Sequence, residues 1–383
     1  MVKRKFWINK IEKDWERRSV IWLAGVRRAG KTFLSRSLEK AEYFDCELVR
    51  VRNKVHDPEV FLKGVKGKRI ILDEIHRLEN PSELLKIASD YFPETKVLAT
   101  GLSSLQASTK FRDTLTGRKT EILLTPMMSA DLKDFGREDI KYRLERGGLP
   151  PFFLPAEVTG NDFQEWIDSY WAKDIQELFR LERRHSFQKL MELLFVNSGG
   201  IFEANKYAGP CEISRMTVAN YLKVLESTWV FQVIKPFSSR SSNEIISAPK
   251  VYAFDTGFVR YYRGWRELRP EDLGILWEHL VLNEMMAHGQ LRNVRFWRDK
   301  QGHEIDFVLV GPGKDPLAIE CKWSADAFDI NGLRAFRKRY EKGENWIVAG
   351  DVVRSYSREV NGLEVDIIGI DHLVKRLGNV EKE

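Results

Sequence analysis

The chain has 383 residues, of which 43% are hydrophobic and 31% are charged, with a formal net charge of +6. That length predicts two or three domains, and the composition excludes a largely disordered chain. The small basic excess permits an acidic partner such as a nucleotide or nucleic acid but does not require one. Three cysteines far apart in the sequence exclude a disulfide scaffold and a structural zinc site.

The cellular compartment is predicted from hydropathy and cysteine usage. No stretch is apolar for the roughly 20 residues that a membrane-spanning helix requires. A charged segment at residues 11–18 stands where a signal peptide needs an apolar core. Together with three cysteines expected to be reduced, this predicts a cytoplasmic protein without a membrane partner.

Short apolar runs alternate with helical patterns through the first third of the chain. Strands are predicted at residues 19–24, 48–51, 69–73, 96–100 and 121–125. Helices are predicted at about 31–40, 58–62 and 82–91. Strands that alternate with crossover helices indicate a parallel sheet covered by helices. We therefore expect an α/β domain at residues 1–135.

The pattern changes after residue 135. Apolar side chains recur at three- and four-residue spacing from 162 to 181 and from 187 to 196, which predicts two amphipathic helices. Helices at 202–208 and 214–227 and strands at 229–234 and 250–254 follow the order of a winged helix. We assign residues 136–245 to a helical and winged-helix domain. Residues 246–383 form a predicted C-terminal α/β domain ordered helix, three strands, helix, strand.

A phosphate-binding pattern lies between the first predicted strand and helix. Residues 25–32, Gly-Val-Arg-Arg-Ala-Gly-Lys-Thr, match G-x-x-x-x-G-K-[ST] in full. In such a loop the backbone N–H groups surround phosphate oxygens and the helix N-terminus adds positive charge. Lys31 is expected to reach the β and γ phosphates, and Thr32 to ligate Mg²⁺. The predicted nucleotide-binding residues are Gly25, Arg28, Gly30, Lys31, Thr32 and Phe33.

Polar residues at the ends of later strands supply the predicted chemistry of hydrolysis. The strand at 69–73 ends in Asp73, expected to hold Mg²⁺, and Glu74, expected to polarise the attacking water. Thr100 ends the next strand and is expected to orient that water or the γ phosphate. Arg118 is the candidate for a mobile positive charge over the γ phosphate, with a surface arginine as the alternative. The predicted catalytic residues are therefore Lys31, Glu74, Thr100 and Arg118.

Four segments give the chain a specific resemblance. Residues 25–32, Leu-Asp-Glu-Ile-His at 72–76, Ala-Thr-Gly-Leu-Ser-Ser at 99–104 and Leu-Thr-Gly-Arg at 115–118 resemble the prokaryotic AAA-type ATPases of the AAA+ superfamily. Members of that group carry a C-terminal domain with a winged helix and a nuclease-like fold. The resemblance runs from about residue 15 to about 325 and includes residues 147–150, 170–174 and 249–257. It implies ATP as the nucleotide; Leu102 departs from the serine that such proteins often have there.

A second constellation lies in the C-terminal third. Asp306 lies on one predicted strand, and Glu320 and Lys322 share a face of the next. Glu278, on the preceding helix, adds a third acid. Two carboxylates and a lysine suit Mg²⁺-assisted hydrolysis of a phosphodiester. The order of these residues resembles the PD-(D/E)xK nuclease superfamily; the alternative is a retained fold whose polar residues form structural ion pairs.

DNA and a partner protein are the candidate macromolecular partners, and an oligomer is left open. Basic residues on the helix after Lys322 are candidates to guide DNA, although a solvated charged face is the default for such a cluster; they are Arg334, Arg337, Lys338 and Arg339. The sequence favours an ATPase whose ATP cycle controls a nuclease-like domain. Two alternatives remain: an ATP-controlled DNA-cleaving enzyme, and a nucleotide-dependent regulatory switch with an inactive nuclease fold.

Overall fold

The computed structural model describes residues 2–101, 115–179, 181–238, 248–289, 294–311 and 313–380. The chain divides into two compact units. Unit 1 comprises residues 1–139, 149–184 and 221–230, and unit 2 comprises residues 140–148, 185–220 and 231–383. Both units are therefore built from segments that are discontinuous in sequence.

Unit 1 contains a parallel sheet that, within the described residues, has five strands. The strands are β1 (Val20–Ala24), β2 (Ala41–Asp45), β3 (Arg69–Asp73), β4 (Lys96–Thr100) and β5 (Lys119–Leu123). Their order is β2-β3-β4-β1-β5, and every neighbouring pair is parallel. The prediction of a parallel sheet is confirmed. Because β1, β3 and β4 are parallel and β4 lies between the other two, the carboxyl ends of these three strands lie together at one end of the sheet.

Helices connect these strands and continue through the rest of the chain. The first group is α1 (Lys5–Arg17), α2 (Lys31–Arg36), α3 (Val49–Val55), α4 (Pro58–Gly64), α5 (Pro81–Tyr91), α6 (Ser129–Asp134), α7 (Ile140–Arg146), α8 (Pro150–Phe153), α9 (Gly160–Tyr170) and α10 (Gln176–Phe179). The second group is α11 (Arg184–Val196), α12 (Ala204–Ala208), α13 (Arg215–Ser227), α14 (Thr256–Tyr262), α15 (Pro270–Gly289), α16 (Asn331–Arg339) and α17 (Ile370–Val380). None of the helices in the described part of the chain is long and apolar enough to cross a membrane.

One predicted strand of unit 1 is wrong. Residues 48–51 lie at the start of α3, where Val51 and Val55 are buried four residues apart, as a helical face requires. The strand of this region is β2, at the edge of the sheet, where Phe44 is the buried residue of the strand. An edge strand with so little buried apolar surface carries a weak hydrophobic signal, which explains the error.

Two helices of unit 1 also differ from the sequence patterns. Helix α1 was not predicted; it buries Trp7, Ile11 and Trp15, which follow one another at four-residue intervals. The helix predicted at 162–181 begins as α9 and ends as α10. Between them the five residues Trp171–Ile175 form a π-helical segment. A π segment changes which later side chains face inward, and the apolar spacing alone does not reveal it.

Unit 2 is organised around a mixed sheet that has nine strands among the residues described. They are β6 (Gly200–Ile201), β7 (Phe231–Pro236), β8 (Lys250–Ala253), β9 (Val294–Arg298), β10 (Glu304–Leu309), β11 (Leu317–Lys322), β12 (Asn345–Ala349), β13 (Tyr356–Val360) and β14 (Leu363–Ile368). The sheet runs in the order β13-β14-β12-β11-β10-β9-β7-β8-β6. Strand β10 is antiparallel to both β9 and β11, whereas β11, β12 and β14 are parallel.

The segments behind the winged-helix prediction form helices α12 and α13 and the antiparallel strands β7 and β8. Residues 239–247, between the two strands, lie outside the described residues. Strands β7 and β8 stand on either side of the predicted boundary at 245/246, yet they belong to the same sheet as the C-terminal strands. The pattern reading of the last third missed β13, β14 and α17.

Candidate nucleotide site and acid–lysine cluster

The phosphate-loop residues connect the end of β1 to the start of α2. Gly25 has φ 148° and Gly30 has φ 99°, both in the region that favours glycine. A side chain on Gly25 would place its Cβ 2.5 Å from the Leu124 carbonyl oxygen. Arg28 is also left-handed, with φ 63°. A non-glycine residue in this conformation is sparsely populated and is found disproportionately at functional sites.

Lys31 is the first residue of α2 and folds back over the loop. Its Nζ atom donates to the Gly25 carbonyl oxygen at 2.7 Å and to the Val26 carbonyl oxygen at 3.2 Å. Burial lowers the pKa of Lys31, and the carboxylates of Glu74 and Asp174 oppose that shift. The Lys31 ammonium group is therefore held by neutral carbonyl oxygens, while the carboxylates of Glu74 and Asp174 act on its charge.

Asp73 ends β3 and is buried beside the loop. Its carboxylate accepts hydrogen bonds from the Tyr43 hydroxyl of β2 and the Thr100 hydroxyl of β4. Thr100 itself is fully buried at the end of β4. Two donors leave lone pairs on the Asp73 carboxylate available for a further partner. The sheet order thus places Thr100 in contact with Asp73.

Glu74 follows Asp73 in a left-handed conformation with φ 53°. Its backbone N–H donates to Thr100 Oγ1 at 3.2 Å, so Thr100 contacts both acidic residues. Burial raises the pKa of Glu74, while the charge of Lys31 opposes that shift. A carboxylate with a raised pKa is a stronger base than an exposed one.

The other predicted nucleotide-binding residues differ in exposure. Thr32 is half-buried on the first turn of α2, and Arg28 is exposed at the tip of the loop. The side chain of Phe33, also predicted to bind the nucleotide, is 37% exposed, whereas its neighbour Leu34 is buried.

Arg118 does not lie at the phosphate loop of its own chain. It precedes β5, whose first residue Lys119 pairs with Val20 at the start of β1, whereas the loop follows the other end of β1. The seven residues from Ser19 to Gly25 span roughly 20 Å of extended strand. The Arg118 guanidinium instead pairs with Asp90, with Nε 2.7 Å from Oδ1. A role over the γ phosphate of the same chain is incompatible with this position.

Two buried residues near the loop were missed by sequence reasoning. Arg4 donates to both carboxylate oxygens of Asp131, at 2.8 and 2.6 Å, and to the Ala29 carbonyl oxygen of the loop at 2.9 Å. Both members of this ion pair are buried. An arginine in a basic N-terminal segment is read as solvated, and only the position of α1 beside α6 shows otherwise.

Asp174 was also missed as a site residue, although it ends one of the segments that carry the family resemblance. It lies in the π-helical segment, is 3% exposed, and pairs with Arg27 of the phosphate loop. Leu102, the departure from the family pattern, lies outside the described residues.

Unit 2 brings the four predicted nuclease-like residues into one neighbourhood and adds two more. We call this set the acid–lysine cluster: Lys250, Glu278, Glu304, Asp306, Glu320 and Lys322. Lys250 pairs with Glu304 and lies 3.6 Å from Glu278, measured from Nζ to Oε1. Lys322 Nζ lies 3.0 Å from Glu320 Oε2. The prediction missed Lys250 and Glu304, which lie on β8 and β10.

The remaining contacts of the cluster come from neutral donors. Tyr252 donates its hydroxyl to Glu278 at 2.5 Å, and the backbone N–H of Cys321 donates to Asp306 at 2.7 Å. Burial, followed by the charge of Asp306, raises the pKa of both Glu278 and Glu320. The carboxylates therefore repel one another in a buried setting, and the two lysines offset that repulsion.

The donor chemistry of the cluster suits a hard cation, but its present arrangement does not form a metal cage. Carboxylate oxygens are preferred ligands of Mg²⁺. Across the described ranges, no group of three or more His, Cys, Asp or Glu side chains is placed to hold a metal ion. Lys250 is 4% exposed and stands between Glu278 and Glu304 as an internal cation.

One basic residue offered as a DNA contact has a structural role instead. Arg337 is 4% exposed and donates to Asn345 Oδ1 at 2.6 Å. Its guanidinium also donates to the carbonyl oxygens of Pro316 and Glu344. The interpretation of Arg337 as a solvent-facing DNA contact is therefore wrong, because its donors are used inside unit 2.

Comparison with known families agrees with the geometry of unit 1. Residues 17–132 match the family model described as AAA domain. They form a P-loop ATPase domain of the AAA type. Residues 137–269 match a model described as Domain of unknown function (DUF8612), and residues 273–362 match one described as Domain of unknown function (DUF4143). The AAA-type domain thus contains the loop, Asp73, Glu74 and Thr100.

Relatives that align with most of the chain have low sequence identity to it. An uncharacterized protein of Mycobacterium tuberculosis is 25% identical over 84% of this chain and 74% of its own. An uncharacterized protein of Haemophilus influenzae is 20% identical over 80% of this chain and 84% of its own. Among solved structures, a Walker-type ATPase of Pyrococcus abyssi is 16% identical, covering 69% of this chain and 96% of its own with a TM-score of 0.43.

Proposed function

We propose that the protein is an Mg²⁺-dependent ATPase whose ATP cycle controls a C-terminal nuclease-like domain. The observation that supports hydrolysis is the shared edge of β1, β3 and β4. At that edge Lys31 follows the phosphate loop, and Thr100 contacts both the carboxylate of Asp73 and the backbone of Glu74. A loop with its lysine serves binding, whereas a buried carboxylate beside it serves chemistry.

Phosphate binding in this proposal uses the loop and Lys31. The N–H groups at the start of α2 and the Lys31 ammonium neutralise phosphate oxygens. The Thr32 hydroxyl and the Asp73 carboxylate fit Mg²⁺, because both are oxygen donors and Asp73 keeps free lone pairs. An ion held by these two residues would neutralise negative charge on the phosphates.

Water activation falls to Glu74 and Thr100. The raised pKa of Glu74, caused by burial, makes its carboxylate an effective acceptor for the proton of the attacking water. Thr100 fixes the Glu74 backbone and so the direction from which that carboxylate acts. Arg118 is given no part in this site within one chain, which leaves a surface arginine paired with Asp90 or a role in a neighbouring subunit.

Two substitutions separate binding from turnover. Lys31→Ala removes the phosphate-binding cation, so ATP affinity and turnover should both be lost. Glu74→Gln keeps the volume and removes the base, so kcat should fall about 10²- to 10⁴-fold while ATP still binds. Steady-state phosphate release and equilibrium binding of ATP measure the two effects.

A matched control is Glu59→Gln, since Glu59 is 67% exposed on α4. It should leave both quantities unchanged. Unchanged turnover in the Lys31→Ala variant contradicts the proposal. Equal turnover in the Glu74→Gln and unaltered proteins removes Glu74 from the chemistry and leaves a nucleotide-binding switch.

A second candidate function is cleavage of a phosphodiester in DNA by the acid–lysine cluster under ATP control. What favours it is the convergence of Glu278, Asp306, Glu320 and Lys322 in one buried neighbourhood. What favours the remaining alternative, a regulatory switch that binds DNA or a partner protein with an inactive nuclease fold, is Lys250. Its ammonium already pairs with two of the cluster's carboxylates.

Incubation with single- and double-stranded DNA distinguishes these two. Cleavage that requires Mg²⁺ and disappears in an Asp306→Asn variant, with ATP turnover unchanged, supports the enzyme. If the unaltered protein leaves DNA intact with every divalent cation and nucleotide tested, the switch is supported. DNA that accelerates ATP turnover identifies DNA as the partner in either case.

A further inference from the structure

Asp174 occupies an unusual position in the helical region beside the phosphate loop. Helix α9 passes directly into the π-helical segment Trp171–Ile175, and Asp174 is buried within that segment. π-helical turns are rare and occur frequently at functional sites. The local change of helical register turns a carboxylate into a largely buried position, where an unpaired acid would be strongly disfavoured.

The partner of that carboxylate is the third residue of the phosphate loop. Arg27 Nη1 donates to Asp174 Oδ2 at 3.2 Å, and Arg27 Nε donates to the Ser169 hydroxyl at 2.9 Å. The Trp166 indole N–H donates to the Arg27 carbonyl oxygen at 3.3 Å. One helical region therefore holds both the side chain and the backbone of Arg27, and so restricts the conformation of the loop.

The charge of Asp174 also acts on the lysine of the loop. Asp174 and Glu74 are the carboxylates that most strongly oppose the lowering of the Lys31 pKa by burial. The hydrogen bonds of Lys31 itself go to the Gly25 and Val26 carbonyls. In turn, burial raises the pKa of Asp174, and Arg27 and Lys31 oppose that shift. Asp174 is thus the direct counter-ion of Arg27, and its charge also acts on Lys31 without an ion pair between them.

We propose that Asp174 is a positioning residue of the nucleotide site, which holds Arg27 of the phosphate loop in place and competes with nucleotide phosphates for that cation. This inference rests on the proposed ATPase function. Phosphates and the Asp174 carboxylate are both anions, so nucleotide binding is weakened by the carboxylate that keeps the loop in order. Turnover benefits from the fixed position of Arg27.

The test is Asp174→Asn, which keeps the shape of the side chain and removes its charge. Binding of ATP should tighten about threefold or more, because a competing negative charge is gone. In the same variant kcat should fall about tenfold, because Arg27 loses a charge-assisted hydrogen bond. Opposite changes in affinity and turnover are not expected from a simple loss of folding.

Two further variants complete the experiment. Asp168→Asn is the matched control, because Asp168 lies on α9 and is 47% exposed, paired with Arg184; it should change neither quantity. Asp174→Glu restores the charge and should return both affinity and kcat toward the unaltered protein. Thermal unfolding of each variant shows whether the fold is retained.

Several outcomes overturn the inference. Affinity and kcat both unchanged in Asp174→Asn exclude a positioning role. Weaker ATP binding together with a lower unfolding temperature indicates structural support only. If the unaltered protein binds ATP without hydrolysing it, the ATPase proposal fails, while the predicted tightening still tests Asp174. No nucleotide binding by the unaltered protein overturns both.

Discussion

The two units bury lysines among carboxylates in different ways. In unit 1, Lys31 donates to neutral loop carbonyls, and Asp73 receives its hydrogen bonds from hydroxyl groups. In unit 2, Lys250 and Lys322 pair directly with carboxylates. Bonds from an ammonium to carbonyl oxygens are readily exchanged for bonds to phosphate oxygens. Buried ion pairs are costly to separate. The arrangement in unit 1 is therefore suited to an incoming polyanion. In unit 2 the lysines already neutralise the neighbouring carboxylates.

Removing the internal cation of unit 2 is the strongest way to break this comparison. Lys250→Met leaves the mostly buried Glu278 without its ammonium partner and Glu304 with only the longer contact to Arg298, and the free energy of unfolding should fall by about 3 kcal/mol. Urea denaturation followed by circular dichroism measures the loss. Lys206→Met is the matched control, since Lys206 is 65% exposed and pairs with Glu203 at the surface. A loss no larger than in the control contradicts self-compensation.

The same variant sharpens the comparison through a divalent cation. In the Lys250→Met variant, the carboxylates Glu278, Glu304 and Asp306 lose the lysine charge that partly neutralised them. They should therefore attract a hard cation. Millimolar Mg²⁺ or Ca²⁺ should therefore raise the unfolding temperature of Lys250→Met more than that of the unaltered protein. Equal effects of the cation on both proteins would show that the lysine does not occupy a cation position.

An intermediate effect is expected at the hydroxyl that connects the acids of unit 1. Thr100→Val keeps the shape of the side chain but removes the donor to Asp73 and the acceptor for the Glu74 N–H. A buried hydrogen bond to a charged group contributes about 1.5–3 kcal/mol, so kcat should fall about 10- to 100-fold. Steady-state ATP hydrolysis checks this. Thr217→Val, at a half-buried threonine of α13 away from the nucleotide site, is the control, and equal kcat values in Thr100→Val and the unaltered protein would exclude a connecting role for Thr100.

The nucleotide site could be predicted from sequence where the chemistry is local. The loop at residues 25–32 is a contiguous motif, and Asp73, Glu74 and Thr100 each follow directly from a buried strand. Parallel strands bring their carboxyl ends to one edge, so these separate signals converge without further information. Strand β2 was not predicted, because an edge strand buries little apolar surface and so gives a weak hydrophobic pattern.

Residues whose roles depend on tertiary position could not be predicted. Arg4 belongs to a basic segment whose default environment is solvent, and only the packing of α1 near Asp131 buries it. Asp174 becomes inward-facing through a π-helical register that apolar spacing does not encode. Lys250 lies in one of the segments that carry the family resemblance, but no motif gives it a role, and its pairing with Glu304 joins β8 and β10, which are far apart in sequence and separated in the sheet by β9 and β7. Charged residues that fold inward are the common source of these omissions.

The smallest effect is expected at Arg118, which tests whether the site of unit 1 is complete within one chain. Its partner is Asp90, both side chains are partly exposed, and the guanidinium lies at the sheet edge opposite the loop. Arg118→Ala should therefore leave ATP affinity unchanged and lower the free energy of unfolding by less than about 1 kcal/mol. At low protein concentration kcat should also be unchanged. If the variant has a lower kcat than the unaltered protein only at high protein concentration, Arg118 reaches the phosphate site of a second copy. A loss already present at the lowest concentration would contradict the strand register, because it would require the arginine to act some 20 Å from where β5 begins.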